Sequence, residues 1–468
     1  MIDAELGRIK IDQFEIREGS EKVFTTRKDV FPETGPREAF KSPCLRELLL
    51  LFAIDESFRK GTDKLNRVLL RKEGETIQFR TVANTVEREG ELIEEERSKK
   101  AEEILKRYGF DPEGQKIPSN KGETHENEHS RLKDESISKI REDPGLAKDS
   151  QSAEEKRITS NEGPDDGRDP SQITEERVKQ AIEELNLGKE KELQIDRADL
   201  HETFEDPKCI KANISLDDVL AKKQKEADRK KNAPSKEKRA FVKNTVAHLE
   251  NGEKAFYVLN APCVEKILIL VFAFLLYNGL LNRAGQLIFF IDGAADLRLA
   301  IQSLFLGLLP FKIILDWFHL EKKCKERLSM AMKGKVIRNK VLDHIIPLLW
   351  HGKVETAIAY LQDLNKDDIK NQEDIKRLIG YFERNMEYIP CYVLRQKLGL
   401  RVSSNRGEKA NDLAVSSRQK HNGMSWSTSG STSLATVTTL HLNHEQSDWL
   451  LRHKISFHFG NSSEKVAA

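Results

Sequence analysis

The sequence predicts an α/β protein whose mixed sheet adjoins a long helical stretch, preceded by a small all-α domain and a disordered charged linker. Three observations carry this. Two short apolar runs, LIFFID (Leu287 to Asp292) and FKIILD (Phe311 to Asp316), flank the helical segment GAADLRLAIQSLFLG, and strand, helix, strand in that order makes a parallel pair. Upstream, IKANISLDDV (Ile210 to Val219) alternates like a strand, and AFVKNTVAHLE and KAFYVLNA read as two more around Asn251 and Gly252. Between Phe110 and Phe204 there is no aromatic residue, so that stretch has little to bury against its chain entropy.

Residues 1–37 read as an N-terminal extension. Residues 38–112 carry helical patterning in CLRELLLLFAI, SFRKGTDKLNRVLLR and RTVANTVEREGELIEEERSKKAEEILKRYGF, with Ser57 as a cap. Taken as short helices separated at Gly61, Gly74 and Gly90, they suggest a DNA-binding helix-turn-helix, with Arg80, Thr81, Asn84 and Thr85 opening its recognition helix. A plain helical bundle is the competing reading. Residues 113–203 are assigned to a flexible linker with one transient or partner-dependent helix near Ile173 to Leu187. From Lys121 to Leu200 there are 14 basic and 22 acidic residues, so this stretch is net −8 and the rest of the chain is net +9. The near-balance of 78 basic and 77 acidic residues therefore hides a positive folded part.

Residues 204–318 contain the strands. Residues 319–392 read as helices, and residues 393–468 close the chain with a polar, Gly-punctuated segment and a helix starting near Gly407. The most apolar stretch, Ile267 to Leu276, is half the length of a bilayer-spanning helix and reads as a buried core helix. Five scattered cysteines with no Cys-x-x-Cys pair, and a start without the pattern of a secretory signal, point to reduced thiols in a cytosolic protein with no membrane association.

Ligands of open α/β sheets bind at the carboxyl ends of the parallel strands, which directs attention to Asp292 and Asp316. ISLDDV adds Asp217 or Asp218. Directly after it, Lys222 to Lys243 holds ten basic residues against three acids, including Lys222 and Lys223, a surface for a phosphate-bearing partner. Neighbouring carboxylates stay ionised together most easily around a cation, and Mg²⁺ suits oxygen ligands and phosphate.

FFIDGAADLRLAIQSLF, FKIILDWFHLEKK and, well downstream, SSNRGEKANDLAVSSRQKHNGMSWS together resemble the DDE transposases of bacterial insertion sequences, in the Mutator-like branch. That resemblance covers roughly residues 205–460 and implies an RNase H-like catalytic core with a helical insertion. It assigns Asp292 as the second acid at the start of a DG-type motif. Asp316 and His319 match an Asp-x-x-His motif of structural or auxiliary role, residues 322–385 the insertion, and Glu408 the last acid. The first acid is Asp217, with Asp218 as alternative. Implied with it are two-metal chemistry on Mg²⁺ or Mn²⁺ at Asp217, Asp292 and Glu408, and double-stranded DNA partners (element terminal repeats and target DNA). A homodimer or larger assembly on DNA and association with the bacterial nucleoid are also implied. Around Glu408, the cations Arg406, Lys409, Arg418 and Lys420 are expected to position phosphates, and Trp426 to stack on an unpaired base. The rival readings are a non-catalytic DNA-binding descendant and an RNase H-like nuclease that cuts without joining.

Overall fold

The computed structural model describes residues 40–117, 173–200, 204, 210–224, 240–251, 255–281, 285–308, 310–420 and 424–459, with the backbone of four short strands between Ile2 and Thr25. The basic residues 225–239 and the central part of the linker, 118–172, lie outside the described residues. The first strands, β1 (Ile2–Ala4), β2 (Gly7–Ile9), β3 (Glu15–Glu18), β4 (Glu21–Thr25) and β5 (Phe40–Lys41), form a three-stranded sheet in the order β2-β1-β5 and a β3-β4 hairpin.

Helices α1 (Pro43–Asp55), α2 (Phe58–Val68) and α3 (Phe79–Arg107) follow. Ser42 and Ser57 cap the first two, each accepting from a backbone N–H of the first turn. Here the structure differs from two sequence expectations. Neither Gly61 nor Gly90 breaks a helix: α2 contains the first, and α3 runs through the second for 29 residues. A Cβ at position 90 would lie 2.4 Å from the Cα of Ser433, so the glycine serves a close helix crossing. The helical segment is also not a separate domain. Leu49, Val82, Val86, Ile93 and Leu105 share one hydrophobic core with sheet residues Ile214, Leu259 and Phe289. Thr85, expected on a recognition helix, is buried and bonds back to the carbonyl of Thr81. Long-range packing overrides the local glycine signal because it buries a whole helix face.

The final part of the expected linker is ordered too. α4 (Glu175–Asn186) buries Val178, Ala181 and Ile182 against Cys391, Leu394 and Leu398. Its amphipathic pattern therefore has an apolar partner within the chain.

The central sheet comprises β6 (Ile210–Lys222), β7 (Phe241–Glu250), β8 (Phe256–Ala261), β9 (Gln286–Ile291) and β10 (Phe311–Leu315), in the order β10-β9-β6-β7-β8. β6, β7 and β8 form an antiparallel meander, whereas β9 and β10 run parallel to β6 and to each other. The apolar helix α5 (Val264–Tyr277) connects β8 to β9 and buries Ile267, Phe272 and Phe274. No helix among the described residues is long and apolar enough to cross a membrane. After α6 (Ala295–Phe305) and β10, the chain enters α7 (Trp317–Ala331), α8 (Lys335–Trp350), α9 (Val354–Gln362) and α10 (Gln372–Asn385). These pack on the other side of Ile288, Phe290 and Ile314 in a second core. Two-sided burial explains why residues 287–291 and 313–315 are continuously apolar rather than alternating.

The chain returns through α11 (Tyr392–Lys397) to α12 (Asn405–Asn411), a π-helical turn at Asp412–Ser416, α13 (Ser417–Gln419), α14 (Thr428–Leu442) and α15 (Gln446–Arg452). α12 lies against β6 at very short range. A Cβ on Gly407 would sit 2.4 Å from the Cβ of Ser215, so only glycine lets the helix, and the Glu408 beside it, come this close to the sheet.

Candidate active site at the parallel strand ends

Register sets the first two acids side by side. Ser215 on β6 pairs with Phe290 on β9, so two residues further along each strand Asp217 comes level with Asp292. Leu315 pairs with Ile291, which puts Asp316 at the same level on the third parallel strand. Alternation decides between the two candidates on β6. Asp218 turns toward β7, where it pairs with Lys243 at 2.6 Å and accepts from Thr245 Oγ1 at 2.6 Å. Asp217 shares the face of Ser215, which meets α12, and accepts from Asn411 Nδ2 at 2.8 Å.

A ligand atom from each of Asp217, His319 and Glu408 falls within 4.8 Å of the other two, the one such group among the described residues. His319 Nε2 lies 3.3 Å from Glu408 Oε1, and its Nδ1 lies 2.8 Å from Asp316 Oδ2. Asp316 is fully buried. It also caps α7 through the His319 N–H and accepts from the Ser404 N–H at 2.6 Å, so one carboxylate fixes both the imidazole and the approach to α12. Asp292 lies outside the tight group but near enough for its charge to act on Asp217. Its carboxylate accepts from the Ala294 N–H, and its carbonyl from Tyr381 Oη at 3.1 Å. The neighbouring Gly293 has φ of 87°, and a Cβ there would meet Tyr381 Oη at 2.8 Å. That is the physical content of the Asp-Gly pair.

Burial above all, with the charges of Glu408 and Asp292, pushes the Asp217 carboxyl up to about 6 against the opposing pull of His319. For His319, burial lowers the imidazole, but the Asp316 hydrogen bond and charge, with Asp217 and Glu408, outweigh it and leave the pKa raised.

The shift at Asp217 has a definite sign for stability. A carboxyl raised from 3.8 to about 6 favours the neutral form in the folded chain, so its contribution is full below pH ~4 and is lost as pH rises through about 6. In chelator at pH 8, Asp217→Asn is therefore expected to stabilise the protein by up to about 2 kcal/mol, with no gain below pH 4. Urea midpoints at the two pH values measure this. An equal change at both would show that the carboxylate charge is not the cause.

The expected DNA contacts divide. Lys222, Lys409 and Lys420 are exposed and Lys223 is partly so. Arg406 is committed to an ion pair with Glu250, which also binds Arg401. Arg418 and Trp426 are corrections. Arg418 is buried, donates from Nε to the Ala53 carbonyl, and its guanidinium lies 5.2 Å from the Phe58 ring centre and 5.1 Å from that of Trp426. Trp426 is 6% exposed, donates to the Gln419 carbonyl and meets Phe58 edge-on. Both tie the last helices to α1 and α2. They are near Glu408 in sequence, but after the π-helical turn the chain carries them into the core.

Sequence reasoning also missed a group of cations on α7 and α10 near Asp292. Their spacing along α10 is a signal the sequence carries, but only the packing of α7 against α10 brings them beside Asp292. Comparison with protein-family models, with curated proteins and with solved structures finds no match to this chain.

Proposed function

We propose that the chain is a metal-dependent DDE-type DNA transposase, with the central sheet and its helices forming an RNase H-like catalytic core. One observation carries the reading: Asp217 and Glu408, distant in sequence, come together with His319 at the carboxyl end of the parallel strands in a sheet ordered β10-β9-β6-β7-β8, with Asp292 close enough for its charge to act on Asp217. One acid is on the central strand, one follows the next strand, and one lies on a helix laid across the face. Helices α7 to α10 would be the insertion before the last acid.

The donor set fits a divalent cation. Glu408 Oε1 is buried and makes no hydrogen bond, while burial and neighbouring acids oppose the charge on Asp217. Oxygen donors with spare lone pairs suit Mg²⁺ or Mn²⁺, held by Asp217, Glu408 and Asp292. Bound there, such ions would stabilise charge on the attacking and leaving oxygens of a phosphodiester displacement. The chain's own groups prepare the site. Asn411 orients Asp217, Asp316 holds the His319 ring, and His319 Nε2 faces Glu408. No side-chain nucleophile is needed. Water attacks phosphorus at the element end and releases a 3′ hydroxyl; that hydroxyl then attacks a target phosphodiester, forming one bond as it breaks another. Joining two ends in one complex implies at least a dimer on DNA.

The test is incubation with labelled duplexes carrying the terminal repeats that flank the encoding gene, with Mg²⁺ or Mn²⁺. Cleavage followed by joining to a second duplex is expected. Cleavage alone would assign an RNase H-like nuclease, and binding alone a non-catalytic DNA-binding protein.

A further inference from the structure

Beside Asp292 opens a cleft of about 550 Å³ between the sheet edge and helices α7 and α10. Its walls carry Lys323 and Arg327 from α7 and Lys376, Arg377 and Arg384 from α10, against two acids, Glu373 and Asp292. Part of this charge is structural. The buried Asp374 holds Arg327 at 3.0 Å and lies 3.8 Å from Arg377, which fixes the two helices together. Lys323, Lys376 and Arg384 have no acidic partner among the described residues, and Lys376 and Arg384 are exposed. Cations gathered without counter-charges repel one another, so the cleft is arranged for an anionic ligand.

The spacing indicates the kind of anion. The α10 cations, at positions 376, 377 and 384, lie along one helix face. From Lys376 to Arg384, eight residues of α-helix span about 12 Å, close to the rise of about three to four nucleotides of one duplex strand. A small anion would need only one end of such a row. The Asp292–Ala294 turn lines the same cleft, and the Asp292 carbonyl accepts from Tyr381 Oη between Lys376 and Arg384, so a strand whose scissile phosphate lay at the acids would continue into it.

We infer that this cleft seats the phosphodiester backbone of the DNA strand running on from the cleavage point, making α10 a DNA-binding surface. The inference rests on the transposase reading for the position of the scissile phosphate.

The experiment uses the full chain and the double variant Lys376→Glu, Arg384→Glu, with Lys376→Arg, Arg384→Lys as the conservative control. Duplex binding is followed by fluorescence anisotropy across a salt series in Ca²⁺, and cleavage in Mg²⁺. The charge-reversed variant should bind at least ten-fold more weakly. The slope of log affinity against log salt should fall by about two, as expected for two lost phosphate contacts, while the control keeps the slope and thermal unfolding is unchanged. Equal affinity and slope in wild type and charge-reversed variant overturn the inference, even if both cleave DNA. Salt-sensitive binding lost in the variant, with no cleavage by wild type, supports the cleft but sinks the transposase reading. A wild type that does not bind DNA overturns both.

Discussion

Replacement of Glu408 by Gln, or of Asp292 by Asn, is expected to lower DNA strand cleavage by at least about a hundred-fold, the scale on which losing one preorganised electrostatic contact registers. Each exchange is nearly isosteric and removes one negative charge. Glu408 lies on the short helix α12 and is held against the sheet by the Gly407–Ser215 approach, so Gln at 408 should occupy the same place. Asp292 keeps its backbone tie to Tyr381, and Asn retains an oxygen to accept from Ala294. The loss should therefore fall on the chemical step and not on folding or DNA affinity. Single-turnover cleavage of labelled duplex, with anisotropy for binding, separates the two. Near-normal cleavage by either variant would remove that residue from the catalytic set. Rate loss matched by equal loss of binding would point to a contact role instead.

The second large effect is on stability. Glu89→Ala is expected to destabilise the whole chain by about 3 kcal/mol, the lower end of the range for removing one partner of a buried ion pair. Glu89 on α3 is 3% exposed. It accepts from Arg46 Nη1 on α1 at 3.2 Å and from the indole N–H of Trp449 on α15 at 2.9 Å. One carboxylate thus joins the first helices to the last, across 360 residues. A single cooperative urea transition displaced to lower midpoint, with both near-ultraviolet and far-ultraviolet signals moving together, is the expected result. If only the helical signal of a small segment were lost and the remainder kept its midpoint, α1 to α3 would unfold independently. The same packing means that deleting residues 1–110 should expose the core shared by α3, α5 and α14 and so prevent folding, rather than merely remove a recognition module.

Part of the candidate site is legible in the sequence. The two apolar runs ending in acid point to Asp292 and Asp316 because strand ends leave a local pattern, whereas Glu408 is singled out only by the resemblance to the transposases. The choice between Asp217 and Asp218 was not legible. Both follow the same apolar run, and only the pairing of Asp218 with Lys243 and Thr245 fixes which side chain faces α12. His319 was legible as a partner of Asp316 three residues away, a local relation. Its contact with Glu408 spans 89 residues and leaves no trace in spacing. Arg418 and Trp426 show the opposite error, in which nearness in sequence to Glu408 suggested nearness to substrate.

By itself the sequence determined the strands of the central sheet, the helical character of the segments around it and the acids that follow two of those strands, since periodicity, caps and apolar runs act within a few residues. Tertiary structure alone decided that the amino-terminal helices share the core of the sheet, that α4 is packed, that Asp217 faces Glu408, and that the cations of α7 and α10 line one cleft. Those outcomes depend on which apolar faces cover one another across hundreds of residues, and burial is a non-directional force that no local pattern encodes.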